Sequence, residues 1–159
     1  MLNQKEQNLQ AVRRTLAMIL PLADTFAFMF YERFFEMQPD ARALFKGNMA
    51  RQRRKIVEML SLALHGLEQP DGIEEELRRL GRRHANYGVE RQQYRQMNDA
   101  IVWALAETLG DRFTAELCRA WQQVLTYIAT VMLSAAETPA KPRAAFSGES
   151  AGAIHRHSE

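Results

Sequence analysis

Three prolines constrain what this chain can fold into. Pro21, Pro39 and Pro70 are the only ones before residue 138, and helix-period apolar stripes fill the intervals between them. No interval alternates apolar and polar residues as a half-buried strand does. The stripes predict helices over 3–20 and 22–37, then a short helical turn from Pro39 to Phe45 closed by Gly47-Asn48. A helix over 50–66 follows, stopped by Gly66 and the loop of residues 68–72, then one over 73–85 that ends before Gly88. Two long helices, 91–109 and 112–136, are split by Gly110-Asp111. The reading is seven or so helices and no strand, an all-α domain. From Thr138 to Glu159 the chain turns to Pro, Ala, Ser, Gly and scattered charge without a stripe, which reads as a disordered tail after a folded unit spanning 1–137. No internal repeat is visible.

Composition matters mainly for what it excludes. A chain of 159 residues is one domain on a prior of roughly 100–200 residues per domain. With 47% apolar and 25% charged residues it is neither disordered throughout nor embedded in a membrane. A net charge of +2 gives no electrostatic case for a nucleic-acid or anionic-membrane partner. One cysteine, Cys118, permits neither an intramolecular disulfide nor a zinc cluster. Thr15 to Ala23, uncharged after Arg13 and Arg14, imitates a signal peptide. Pro21-Leu22-Ala23 is however a poor cleavage site, Glu6 intrudes on the basic region, and Leu9, Val12, Leu16 and Ile19 keep a helical period through it. The expectation is a cytoplasmic protein. The longest uncharged run, Ala120 to Ala136, carries Gln122, Gln123, Thr126, Thr130 and Ser134 and reads as a buried helix, not a membrane span.

Function should show where a stripe is broken by the wrong residue type, because a buried polar group without a partner costs a few kcal/mol. The stripe Ile73, Leu77, Leu80 continues into His84. The stripe Ile56, Leu60, Ala63, Leu67 lands, one turn earlier, on Gln52. Tyr31 lies among Phe26, Phe28, Met29, Phe30, Phe34 and Phe35, and Tyr94 heads the stripe Met97, Ile101, Leu105. Each has an ordinary structural explanation: a hydrogen-bonded core histidine, a rim glutamine, tyrosines bonded to backbone carbonyls. Together they would line one slot between the 50–66 and 73–85 helices. An imidazole on one side and Gln and Tyr donors on the other is the chemistry of a ligand-binding haem.

The chain resembles the globins, in particular the bacterial single-domain globins related to the globin domain of flavohaemoglobins. The segments that carry the resemblance are Phe30–Phe45 (FYERFFEMQPDARALF) and Leu80–Val89 (LGRRHANYGV). The spacings also fit: 14 from Tyr31 to Phe45, 32 from Gln52 to His84 and 10 from His84 to Tyr94. The resemblance covers roughly residues 3–137 and implies a globin fold, three helices over three around a haem slot. It implies haem b (iron protoporphyrin IX) held by His84 as the metal ligand, Phe45 stacked on the porphyrin, and Tyr31 with Gln52 as the distal pair that stabilises bound ligand. Ile56 would meet the haem face, and Lys55, with Arg51, would reach a propionate. Leu80, Val89, Tyr94, Met97 and Ile101 would be further haem contacts.

The implied ligands are dioxygen, nitric oxide and carbon monoxide. The implied activity is oxygen binding or scavenging, or nitric oxide dioxygenation with a separate reductase, since no flavin or nicotinamide motif follows residue 137. A phenol donor in a dry pocket suits the partial negative charge of bound dioxygen, and a neutral Gln can steady that phenol without titrating. Some positions depart from the family. The distal His of animal globins is replaced by Gln52, and seven positions from Phe45 to Gln52 leave little room for a D helix. Flavohaemoglobins support the proximal His with a Tyr and a Glu; Tyr94 matches the first, but Ala136 stands where the Glu is expected, with Glu137 one residue off. Losing that acceptor weakens the push on the iron and argues against peroxidase-like chemistry. Two alternatives remain open: a gas sensor signalling through a partner, and a haem-free globin-fold interaction module, whose known relatives lack the proximal His.

Other features invite less. The run Arg51, Arg53, Arg54, Lys55 reads as a solvated helix face, with no aromatic platform for nucleic acid. Arg78, Arg79, Arg82 and Arg83 follow Glu74–Glu76 at pairing distance along a helix. His65 has no Glu three residues before it, as a di-iron bundle would need. Cys118 flanks a core stripe, and His155 and His157 lie in the tail.

Overall fold

In the computed structural model, which describes residues 1–45, 47–67, 69 and 74–137, the breaks at Pro21 and Pro39 become short 3-10 turns, and Pro70 lies outside the described residues. Helix α1, Gln4–Ile19, opens on a capping box: the Asn3 side chain accepts from Glu6 N–H at 2.9 Å and the Glu6 carboxylate accepts from Asn3 N–H at 2.9 Å. Pro21 sits in the turn Leu20–Leu22, and α2 runs Ala23–Met37. Pro39 opens a second turn, Pro39–Leu44, and α3 covers Met49–Leu67, with Ala50 N–H bonded to the Asn48 side chain at 2.9 Å. Helix α4, Glu74–Asn86, carries Glu74, Glu75 and Glu76 at the end where the helix dipole favours negative charge. It stops at Gly88, whose φ of 78° lets Val89 N–H return to the His84 carbonyl at 3.1 Å. Helices α5, Arg91–Leu109, and α6, Ala115–Glu137, complete the order.

Among the described residues there are thus six α-helices, three 3-10 turns and no strand. The last helix begins at Ala115 instead of the expected 112, because Gly110–Arg112 winds as a 3-10 turn and the Thr114 hydroxyl accepts from Leu117 N–H at 3.3 Å. The expected start of α4 at Ile73, the side chains of Ala63 and Leu67, and the tail from Thr138 with His155 and His157 lie outside the described residues.

The main helix contacts are α4 on α6, α2 on α5, α1 on α6 and α2 on α3. Trp121, Phe26, Phe30, Ile19, Leu105 and Val12 are fully buried where α1, α2, α5 and α6 converge. Burying each such side chain contributes about 1.5–3 kcal/mol. Leu77, Tyr94 and Met132 form a smaller apolar cluster under α4. By length and composition alone Gln4–Met37 would pass as a membrane-crossing stretch. Here it is interrupted at Leu20–Leu22 and turns Val12, Ile19, Phe26 and Phe30 into the core. In α6 the face of Ala120, Trp121, Val124, Leu125 and Met132 is buried while Gln122, Gln123, Thr126, Thr130 and Ser134 are exposed. Three of the four α4 arginines pair with its leading glutamates: Arg78 with Glu74, Arg79 with Glu75 and Glu76, Arg82 with Glu75. His65 is exposed and Cys118 half-buried.

Candidate functional site

Where α3, α4, α5 and α6 meet they enclose a cavity of about 110 Å³. Ile56, Leu80, His84, Tyr94, Met97 and Ile101 all line it, so six of the residues singled out in the sequence share one wall. His84 is the one imidazole in that lining. Its Nδ1 lies 2.8 Å from the Leu80 carbonyl oxygen, one helical turn back. A carbonyl only accepts, so Nδ1 carries a proton and donates it to Leu80, which fixes the orientation of the ring. The Tyr94 ring lies 6.0 Å from the imidazole, tilted by 33°. Burial pushes the Tyr94 phenol up to about 12, so it stays neutral.

A second group adjoins the cavity through Ile56, one turn along α3 from Gln52. Tyr31 is 7% exposed, and its hydroxyl donates to the Gln52 backbone carbonyl at 3.3 Å, a long and weak bond. The partner of the phenol here is the Gln52 backbone and not its side-chain amide, because a helical carbonyl has a second lone pair to offer. Burial raises the Tyr31 phenol to about 12, leaving it a neutral donor across the physiological range. Phe45 packs its ring edge-on to Tyr31 (5.5 Å, 77°) and to Phe35 (5.4 Å, 70°). Neither Tyr31, Gln52 nor Phe45 is part of the cavity wall itself. Val89 packs half-buried on the Leu77–Tyr94–Met132 cluster, whereas Lys55 and Arg51 are exposed on α3.

Sequence reasoning missed the α6 side of the cavity, Leu125, Ile128, Ala129 and Met132, together with Met59 and Asn98. The α6 residues belong to an apolar stripe, and a stripe says that a face is buried without saying against what. Asn98, one turn beyond Tyr94, breaks its stripe with an amide and was the one legible signal.

Comparison with known proteins gives a consistent picture. The family profile described as Globin matches residues 29–132. A flavohemoprotein from Rhizobium meliloti is 30% identical over 108 residues, 65% of this chain and 26% of that protein. One from Bacillus subtilis is 22% identical over 132 residues, 80% of this chain and 33% of that protein. The chain therefore spans a third or less of the length of these curated relatives. Among solved structures, an engineered carbene transferase from Rhodothermus marinus, provisionally described as a nitric oxide dioxygenase, superposes with a TM-score of 0.72 at 23% identity, covering 86% of this chain and 94% of that one. A bacterial globin from Campylobacter jejuni superposes at 0.70 and 16% identity, covering 83% and 96%. At these identities the structural likeness speaks for the fold.

Proposed function

Because the chain belongs to the globin family, which implies a haem cofactor, we propose that it holds haem b through His84 and binds diatomic gases, dioxygen first and nitric oxide second, on the Tyr31 side. The residues fit that group. The observation that carries the reading is the placing of His84: Leu80 C=O accepts from Nδ1–H and so orients the ring, Nε2 is the nitrogen through which it would ligate iron, and the side chain lines an apolar cavity.

When bound, haem supplies an iron centre with a position open to a diatomic gas and the capacity to exchange single electrons with a reductase. The chain's own residues do the rest. Leu80 C=O orients the imidazole, and the apolar side chains of Ile56, Leu80, Met97 and Ile101 would keep water from the cofactor. Val89 and Tyr94 would support the His84 side, and Phe45 would supply a ring contact to the porphyrin. Exposed Lys55 is free to approach a propionate carboxylate. The Tyr31 O–H, held by a long bond to the Gln52 carbonyl, would be the donor available to a partly negative gas ligand, with Gln52 on the same side. His84 has a backbone carbonyl and not a carboxylate on Nδ1, and Glu137 is exposed at the end of α6. An imidazole backed by a carbonyl instead of a carboxylate would donate modestly to the iron, which suits reversible oxygen binding and nitric oxide dioxygenation, fed by a reductase in the cytoplasm, better than cleavage of an O–O bond.

Replacing His84 with Ala tests the assignment: hemin titration of the variant should show affinity lowered by at least about a hundredfold. Full occupancy in His84→Ala would remove His84 from the role.

A further inference from the structure

Gly81 occupies the middle of α4, where glycine is less favourable than alanine, and it is buried. A Cβ placed there would stand 2.2 Å from the Met132 carbonyl oxygen and 2.7 Å from the Met132 C and Cα atoms. These are backbone atoms of α6, which cannot swing aside as a side chain can. α6 is also the principal helix on which α4 rests, so their separation at this point sets where α4 lies.

Two further observations connect that contact to His84. The carbonyl that holds His84 Nδ1 at 2.8 Å is that of Leu80, and it belongs to the peptide unit joining Leu80 to Gly81. Met132 itself lines the same cavity as His84, which follows Gly81 by three residues, about 4.5 Å along the helix and on the same side of it. From this we infer that Gly81 is a positioning residue for His84: by lacking a side chain it lets α4 close on the α6 backbone, and so sets how far the imidazole enters the cavity and how the Leu80 carbonyl orients it. The inference rests on His84 being the iron ligand. Alanine at this position forces the helices apart by roughly 1 Å, a displacement large enough to spoil a ligating geometry.

The test compares four hemin-loaded chains: wild type, Gly81→Ala, His84→Gly and the double variant, the last two supplied with free imidazole. Gly81→Ala should weaken hemin binding about ten- to a hundredfold and shift the iron–imidazole stretching band of the reduced protein. In the His84→Gly background the imidazole is no longer tied to α4, so adding Gly81→Ala should leave both readouts unchanged. An equal loss in both backgrounds would make Gly81 a general packing residue and overturn the inference. Wild-type behaviour of Gly81→Ala would overturn it as well, and so would loss of its helical circular dichroism without hemin, because the glycine would then hold up the fold instead of aiming the imidazole. Failure of the underlying assignment looks different: His84→Gly would bind hemin as tightly as wild type with no imidazole added.

Discussion

At the scale of the residue, Tyr31 carries the most specific expectations. A phenol that is 7% exposed and bonded only weakly to a backbone carbonyl is held ready for a better acceptor. A hydrogen bond to a charged or partly charged group contributes about 1.5–3 kcal/mol. Tyr31→Phe should therefore speed dioxygen release by roughly ten- to a hundredfold, read by stopped flow, while leaving hemin affinity near wild type. Unchanged release would move ligand stabilisation to Gln52. The same burial has a consequence for stability. Unfolded tyrosine ionises near 10, whereas folded Tyr31 holds its proton to about 12. Between those values the native state binds more protons than the unfolded one, so this contribution is complete below pH 10 and falls as pH rises toward 12. Denaturant unfolding across that window should lose less stability in Tyr31→Phe than in wild type. The inward orientation of Tyr31 was legible, because a tyrosine among six apolar neighbours on one helix has little else to face. Its hydrogen bond to backbone instead of the Gln52 amide was not, since backbone acceptors leave no mark in sequence.

At the scale of the element, helices were legible wherever punctuation and stripe coincide. Pro21, Pro39, Gly88 and Gly110 all mark real ends, and α5 matches its expected limits of 91 and 109. The start of α6 was misread by three residues because a 3-10 turn and a threonine cap look, in sequence, like the first turn of a helix. The distance between helices is a different kind of quantity: the approach of α4 to α6 depends on one glycine facing one carbonyl, and no periodic pattern encodes that. Caps are local and can be tested locally. Asn3→Ala removes one half of the capping box of α1 and should lower unfolding free energy by about 1 kcal/mol in chemical denaturation. No change would mean that the first turn of α1 frays in the native protein.

At the scale of the whole molecule, the architecture follows from amphipathic helices, six among the described residues, that must each bury a face, and the all-α class was legible for that reason. What the stripes could not say is which faces meet to leave a cavity. The 73–85 and 50–66 stripes pointed to a slot through His84 and Gln52, and His84 does line the cavity, with Ile56, Leu80, Tyr94, Met97 and Ile101. The α6 wall became visible only once the fold was assembled, because Ile128 and Met132 are ordinary core residues by type. The central claim is that this globin holds haem with a ligand position open to gas. An absorption spectrum of the purified protein, as isolated or loaded with hemin and then reduced under carbon monoxide, tests it most directly. The account predicts an intense Soret band that shifts when carbon monoxide is added. The absence of any Soret band after hemin addition, or a band that carbon monoxide leaves unmoved, would contradict it.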